Sequence, residues 1–242
     1  LVTRLGVKVP ANQPTTIGGR RVLAELAQFF RAHRDDITRL WVAAVDRSPA
    51  ITSSNDLTYR QLLDHLPQIC DELADALEKT PADIGTSSPV VPDAAAHGRK
   101  RWEQGYSLEE VIREICLLRR NIFDRWVPEF AGTQPEFVAE VRRSAKQVIH
   151  HFFDEVIVDT TVQFVQENRD HASRIKREFL SRMGHDLRTP LTPILLAAAS
   201  LKEEGGLSAE ARDSIEMIVR NANLEAELVA QLLREAEVSA SS

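Results

Sequence analysis

Apolar residues recur along this chain at steps of three and four, and no alternating run bounded by hairpin turns interrupts them. That spacing predicts helices and argues against strands. The clearest case is Leu180, Gly184, Leu187, Leu191, Ile194, Ala198 and Leu201. On a helix turning about 100° per residue these positions line one bundle-type seam. A second stripe follows at Ile215, Ile218, Ala222, Ala226, Val229 and Leu233, after Gly205-Gly206 and a capping Ser208. Two helices with one stripe each cannot close a core alone. The pattern therefore predicts an antiparallel hairpin that dimerises into a four-helix bundle, over about residues 165–236.

The upstream pattern is also helical. Residues 1–18 lack periodicity and read as a loose lead-in. A first helix carries Leu23, Leu26, Phe29 and Phe30, and a second, opened by Asp35-Asp36, carries Ile37, Leu40, Trp41, Ala44 and Val45. Thr58 to Gln61 reads as a capping box before a helix through Leu62, Leu66, Ile69, Cys70, Leu73 and Leu77, kinked at Pro67. Residues 80–92, rich in proline, form a loop. A helix with His97 and Trp102 ends near Gly105. Ser107 to Glu110 caps another, running through Val111, Ile115, Leu118, Ile122 and Trp126 and closed by Pro128. Thr133 to Glu136 begins the next, with the stripe Phe137, Val141, Ala145, Val148, Phe152 and Val156. Neither proline nor glycine interrupts 136–183, which suggests a long connector helix. The expected organisation is a lead-in (1–18), an all-helical domain of about six helices (19–160), a connector and hairpin (161–236), and a tail (237–242).

Chemistry concentrates at His185-Asp186-Leu187-Arg188-Thr189-Pro190. His185 lies two residues before Leu187, roughly 160° round the helix, and so points away from the seam. Arg188 and Thr189, three and four residues on, share its face. A zinc site would need a second ligand at one of those positions, and neither residue is one. Pro190 and Pro193 remove helix donors immediately afterwards and favour a kink. The other histidines, and the stretch His97 to Arg101, read as ordinary polar or solvated positions. A haem ligand at His97 is not expected, and no metal or cofactor site is assigned.

The composition narrows the function classes. Across 242 residues the net charge is -6, with a pI near 5.7, which speaks against nucleic acid as the main partner. Cys70 and Cys116 sit in apolar helical patterns and read as small buried hydrophobes of a reducing compartment. No stretch approaches the ~18 apolar residues of a membrane span, and no signal peptide is evident, so a cytoplasmic location is expected. A start at Leu1 reads as a piece of a longer frame.

The hexapeptide, with Phe179 to Met183 before it and Leu191-Thr192-Pro193 after it, resembles the H-box of bacterial sensor histidine kinases, with Asp in place of the commoner Glu. The resemblance implies a homodimeric two-component protein in which His185 is the phosphoacceptor. Asp186 would orient and activate the imidazole, and Thr189 would position a water for dephosphorylating a response regulator. Thr189 also reads as a hydroxyl bonded back to a helix carbonyl, and Arg188 as either a phosphate contact or a solvated charge. The family's ATP-binding lobe, with ATP and magnesium, would follow the bundle. No Asp-x-Gly-x-Gly loop follows here, so this chain should accept phosphate and not use ATP alone.

A looser resemblance covers about 19–160. His97-Gly98-Arg99, Gln104 to Leu108 and Leu117 to Arg120 are similar to the N-terminal sensor domain of stressosome co-antagonist proteins, which implies a dimeric, globin-like fold without haem. Two rival functions remain at this point: a non-catalytic scaffold, and a haem or small-molecule sensor with a conformational output.

Overall fold

The computed structural model describes residues 17–63, 65–79, 92–203 and 208–239, with the backbone alone for 17, 92, 188 and 232–239. The expected lead-in, except Ile17 and Gly18, the loop before Pro92, the Gly205-Gly206 helix end and the side chain of Leu233 lie outside the described residues. Among the described residues the protein is all-α, with no strand. It divides into two compact units, Leu1–Glu167 and Asn168–Ser242.

The first unit contains α1 (Ile17–Ala32), α2 (Arg34–Asp46), α3 (Tyr59–Leu63), α4 (Leu66–Glu78), α5 (Pro92–Glu103), α6 (Leu108–Asn121), α7 (Val127–Thr133) and the start of α8 (Ala139–Glu203). Its core is continuous. Leu23, Leu26 and Phe30 of α1, Trp41 and Val45 of α2, Leu73 and Leu77 of α4 and Ile115 and Leu118 of α6 are all buried. The stripe from Phe137 to Val156 is buried at all six of its positions, so the first turns of α8 are a core element of this unit. Each of the larger aliphatic and phenylalanine side chains among them contributes about 1.5–3 kcal/mol relative to an exposed one.

Both capping boxes form. The Thr58 amide donates to Gln61 Oε1 at 2.9 Å, and Ser107 and Glu110 exchange side-chain and backbone bonds. Three boundaries differ from expectation, two of them for a reason of proline chemistry. Pro67 does not kink one long helix; it sits in the first turn of α4, and the chain breaks between α3 and α4. A proline is tolerated there because the N–H it lacks has no intrahelical partner. Pro128 does not close α6. The helix widens into a π turn at Ile122–Trp126 and continues into α7 with Pro128 in its first turn. The wider turn relieves the clash between the Pro128 ring and the Asp124 carbonyl. The segment Thr133 to Glu136 ends α7 and turns, and α8 begins only at Ala139.

The second unit is the hairpin of α8 and α9 (Ala209–Ser239). Ser208 caps α9, its hydroxyl accepting from the Ala211 amide at 3.2 Å. The sequence stripes split into two layers here. Gly184, Leu191 and Ala198 of α8 and Ile215, Ala222 and Val229 of α9 are buried, each set at steps of seven. Leu187, Ile194 and Leu201 stay 44–45% exposed, as do Ile218 at 47% and Met217 at 61%. One layer thus closes the hairpin, and the other remains uncovered in a single chain.

Candidate functional site

His185 follows buried Gly184 and precedes half-exposed Leu187, and at about 100° per residue its ring projects from α8 away from both layers. Its side chain is 82% exposed and that of Asp186 is 81% exposed. His185 Nδ1 lies 3.6 Å from Asp186 Oδ1. That is too long for a hydrogen bond but close enough for the carboxylate to act electrostatically.

Thr189 donates its hydroxyl to the His185 carbonyl at 2.9 Å. This is the back-bonded arrangement open to any helical threonine. It spends the hydrogen and leaves the oxygen lone pairs available to accept from a water. The backbone of Arg188 lies in the same helical turn, while its side chain is outside the described residues. Pro190 and Pro193 both lie inside α8, which is not interrupted at either. The structure therefore brings His185, Asp186 and Thr189 together on one exposed patch.

The first unit holds a polar cluster that the sequence reading missed. His97 is 2% exposed and Arg101 fully buried, which corrects the solvated reading of both; Arg99 and Lys100 remain outside, pairing with Glu167 and Glu103. Arg101 Nε donates to Glu114 Oε2 at 2.7 Å, and its other nitrogens reach the carbonyls of Gln61 at 3.1 Å and Leu62 at 2.8 Å. His97 Nε2 lies 3.4 Å from the same Glu114 oxygen, and the Trp41 indole donates to the Glu114 carbonyl at 2.9 Å. Burial pushes the Glu114 carboxyl upward, but His97 and Arg101 outweigh it and hold the pKa below the ordinary range. The available signal was the spacing Ala94, His97, Gly98, Arg101, a single helix face that carries no obvious apolar stripe.

Glu110 does more than cap. It also accepts from the backbone amides of Thr52 at 2.8 Å and Ser53 at 3.0 Å, tying the 52–53 turn to α6. Burial pushes its carboxyl up, yet the amides of Ser107, Ser53 and Thr52 together bring the pKa down to about 2. At the α5–α8 crossing, Thr160 donates to the Ala94 carbonyl at 3.0 Å. A Cβ at Gly98 would stand 2.5 Å from the Thr160 carbonyl oxygen. No cluster of histidine, cysteine and carboxylates able to hold a metal occurs among the described residues, and none of their helices is long and apolar enough to cross a membrane.

A helical unit is thus followed by a hairpin that carries an exposed histidine beside a carboxylate. The family comparisons agree over both units. The chain belongs to the family described as the RsbT co-antagonist protein rsbRD N-terminal domain, matched over residues 35–178, and it continues into a His Kinase A (phospho-acceptor) domain over 175–240. No solved structure matches the chain.

Proposed function

We propose that the chain is the sensing and phosphoacceptor part of a cytoplasmic two-component histidine kinase, with His185 as the residue that carries phosphate. The observation that carries this reading is the placement of His185. It stands 82% exposed on a hairpin helix whose packing layers lie elsewhere, inside the span matched by the phosphoacceptor family. ATP with magnesium, bound in a separate lobe, supplies the phosphoryl group. The Nε2 lone pair of neutral His185 forms the P–N bond as the bond from phosphorus to the ADP oxygen breaks. Asp186, rotated toward Nδ1–H, stabilises the positive charge that develops on the ring. The phosphoryl group then passes to an aspartate of a response-regulator receiver domain. Thr189, its lone pairs open, orients a water for the reverse, dephosphorylating reaction, and Arg188 contacts phosphate.

A second copy of the chain covers the exposed layer of Leu187, Ile194, Leu201 and Ile218 and completes a four-helix bundle. The first unit acts as the sensor and takes the globin-like arrangement without haem. The seat of His97 Nε2 against the Glu114 carboxylate supports the absence of haem ligation. A scaffold function is the second reading, favoured by the family match over the larger part of the chain.

The test mixes the chain with ATP and the ATP-binding lobe of its parent protein. Acid-labile, base-stable phosphate should appear on one residue and vanish in His185→Gln. Asp186→Asn should slow labelling without moving it, and Thr189→Ala should spare labelling and impair dephosphorylation of the regulator. Label that survives His185→Gln would give the scaffold reading precedence.

A further inference from the structure

We propose that α5 couples the buried ion cluster of the first unit to α8, so that breaking the cluster frees α8 where it leaves that unit. The inference rests on the sensor role assigned to the first unit and gives that role an output path. At about 100° per residue, His97 and Arg101 stand on one flank of the buried face of α5 and Gly98 on the other, with Ala94 between them. The first flank is anchored inside the unit. Arg101 pairs with Glu114 of α6 at 2.7 Å and reaches the carbonyls of Gln61 and Leu62 in the last turn of α3. Such end-of-helix carbonyls lack a partner within their own helix. Trp41 of α2 in turn donates to the Glu114 carbonyl at 2.9 Å.

The second flank seats on α8. Thr160, fully buried, donates its hydroxyl to the Ala94 carbonyl at 3.0 Å. Gly98 packs against the Thr160 backbone so closely that an added Cβ would stand 2.5 Å from the Thr160 carbonyl oxygen. Arg99, the next residue of α5, reaches Glu167 at 2.8 Å. Thr160, Phe164 and Glu167 share one stripe of α8 two turns long. Phe164 belongs to the core, and Glu167 is the last residue of the first unit. α5 therefore holds this stripe at both of its ends.

The seat has no slack. At Gly98 backbone packs on backbone, with no flexible side chain between to follow a shift of α5. Arg101 is the opposite case, a long buried side chain whose place is set by its partners. While Arg101 and Glu114 are paired, the two flanks fix α5 between them. Once the pair is broken, the uncompensated charge is drawn toward water, and α5 moves off Thr160.

Hydrogen–deuterium exchange of the full chain tests this by comparing two stretches of α8, 160–167 at the seat and 141–153 in the core. In Arg101→Met the seat should lose several-fold of its protection relative to the core stretch. Glu114→Gln, which keeps the shape of the side chain, reads the same way should Arg101→Met fold poorly. Glu110→Gln is the control. Its partners are Ser107, Thr52 and Ser53, so it should destabilise the unit and leave the ratio of the two stretches unchanged. A seat as protected as in the wild type overturns the proposal. So does a seat that loosens only in step with 141–153, or equally in Glu110→Gln. The readout needs no phosphate on His185, so this proposal and the phosphoacceptor reading can fail separately.

Discussion

Gly98→Ala tests the close crossing of α5 on α8. The added Cβ would lie 2.5 Å from the Thr160 carbonyl oxygen and 3.1 Å from both its carbonyl carbon and its Cα. All three are backbone atoms, so no side-chain rotation can make room. The two helices must separate by several tenths of an ångström, a small-to-large cost of about 1–3 kcal/mol. Separation also stretches the buried bond from Thr160 to the Ala94 carbonyl, worth about 1 kcal/mol. Against this stands the helix propensity of alanine, which favours the change by up to about 1 kcal/mol. The balance is a loss of about 1–3 kcal/mol. Urea unfolding followed by tryptophan fluorescence measures it, because Trp41, Trp102 and Trp126 all lie in the first unit. Gly132→Ala is the control, since nothing lies within 4 Å of the Cβ it would gain, and it should be neutral or mildly stabilising. If Gly98→Ala shifts the midpoint upward with Gly132→Ala, the crossing is not as tight as described and the reasoning fails.

Arg101→Met should leave Glu114 buried without its cation and cost about 3–5 kcal/mol in urea unfolding, much of it recovered when Glu114→Leu is added. Glu110 gives an acid-side dependence. Its stabilisation is complete above the ordinary carboxyl value of 4.5 and is lost as the pH falls toward about 2. Glu110→Gln should remove up to about 3 kcal/mol at neutral pH and flatten that acid limb in pH-dependent unfolding. Leu187→Glu should shift the sedimentation coefficient from dimer to monomer at micromolar concentration, whereas His185→Gln, off both layers, should leave it unchanged.

The helical class and the placement of His185 were legible because both depend on apolar spacing. Leu191 and Ala198 are buried and His185 exposed as an ideal helix requires. What the spacing could not separate was the inner layer, such as Leu191 and Ile215, from the outer layer of Leu187 and Ile218, since both obey the same period. Prolines misled in a consistent direction. Pro67 and Pro128 read as a kink and a stop, but Pro67 lies in a first turn, where its missing N–H costs nothing, and Pro128 follows the widened turn that makes room for its ring. The buried face of α5 was illegible for another reason. Arg101 is stabilised inside by Glu114 and by the carbonyls of Gln61 and Leu62, which come from sequence-distant elements. A charge run gives no sign of such partners.

The π turn at Ile122–Trp126 makes chain length a constraint in its own right. A turn of this kind carries one residue more than the α form, and that surplus sets the angle at which α7 leaves. Downstream of it, Phe130 meets Phe29 at 5.5 Å and Phe137 at 5.1 Å between ring centroids. Deleting any one residue of the turn would restore regular α spacing and swing α7 by about 100°, carrying Phe130 off both rings. Residues here can be exchanged one for one, within the limits of packing, but not added or removed. Drift in length during the evolution of this fold is therefore expected in the turns between helices and not in the bulged stretch.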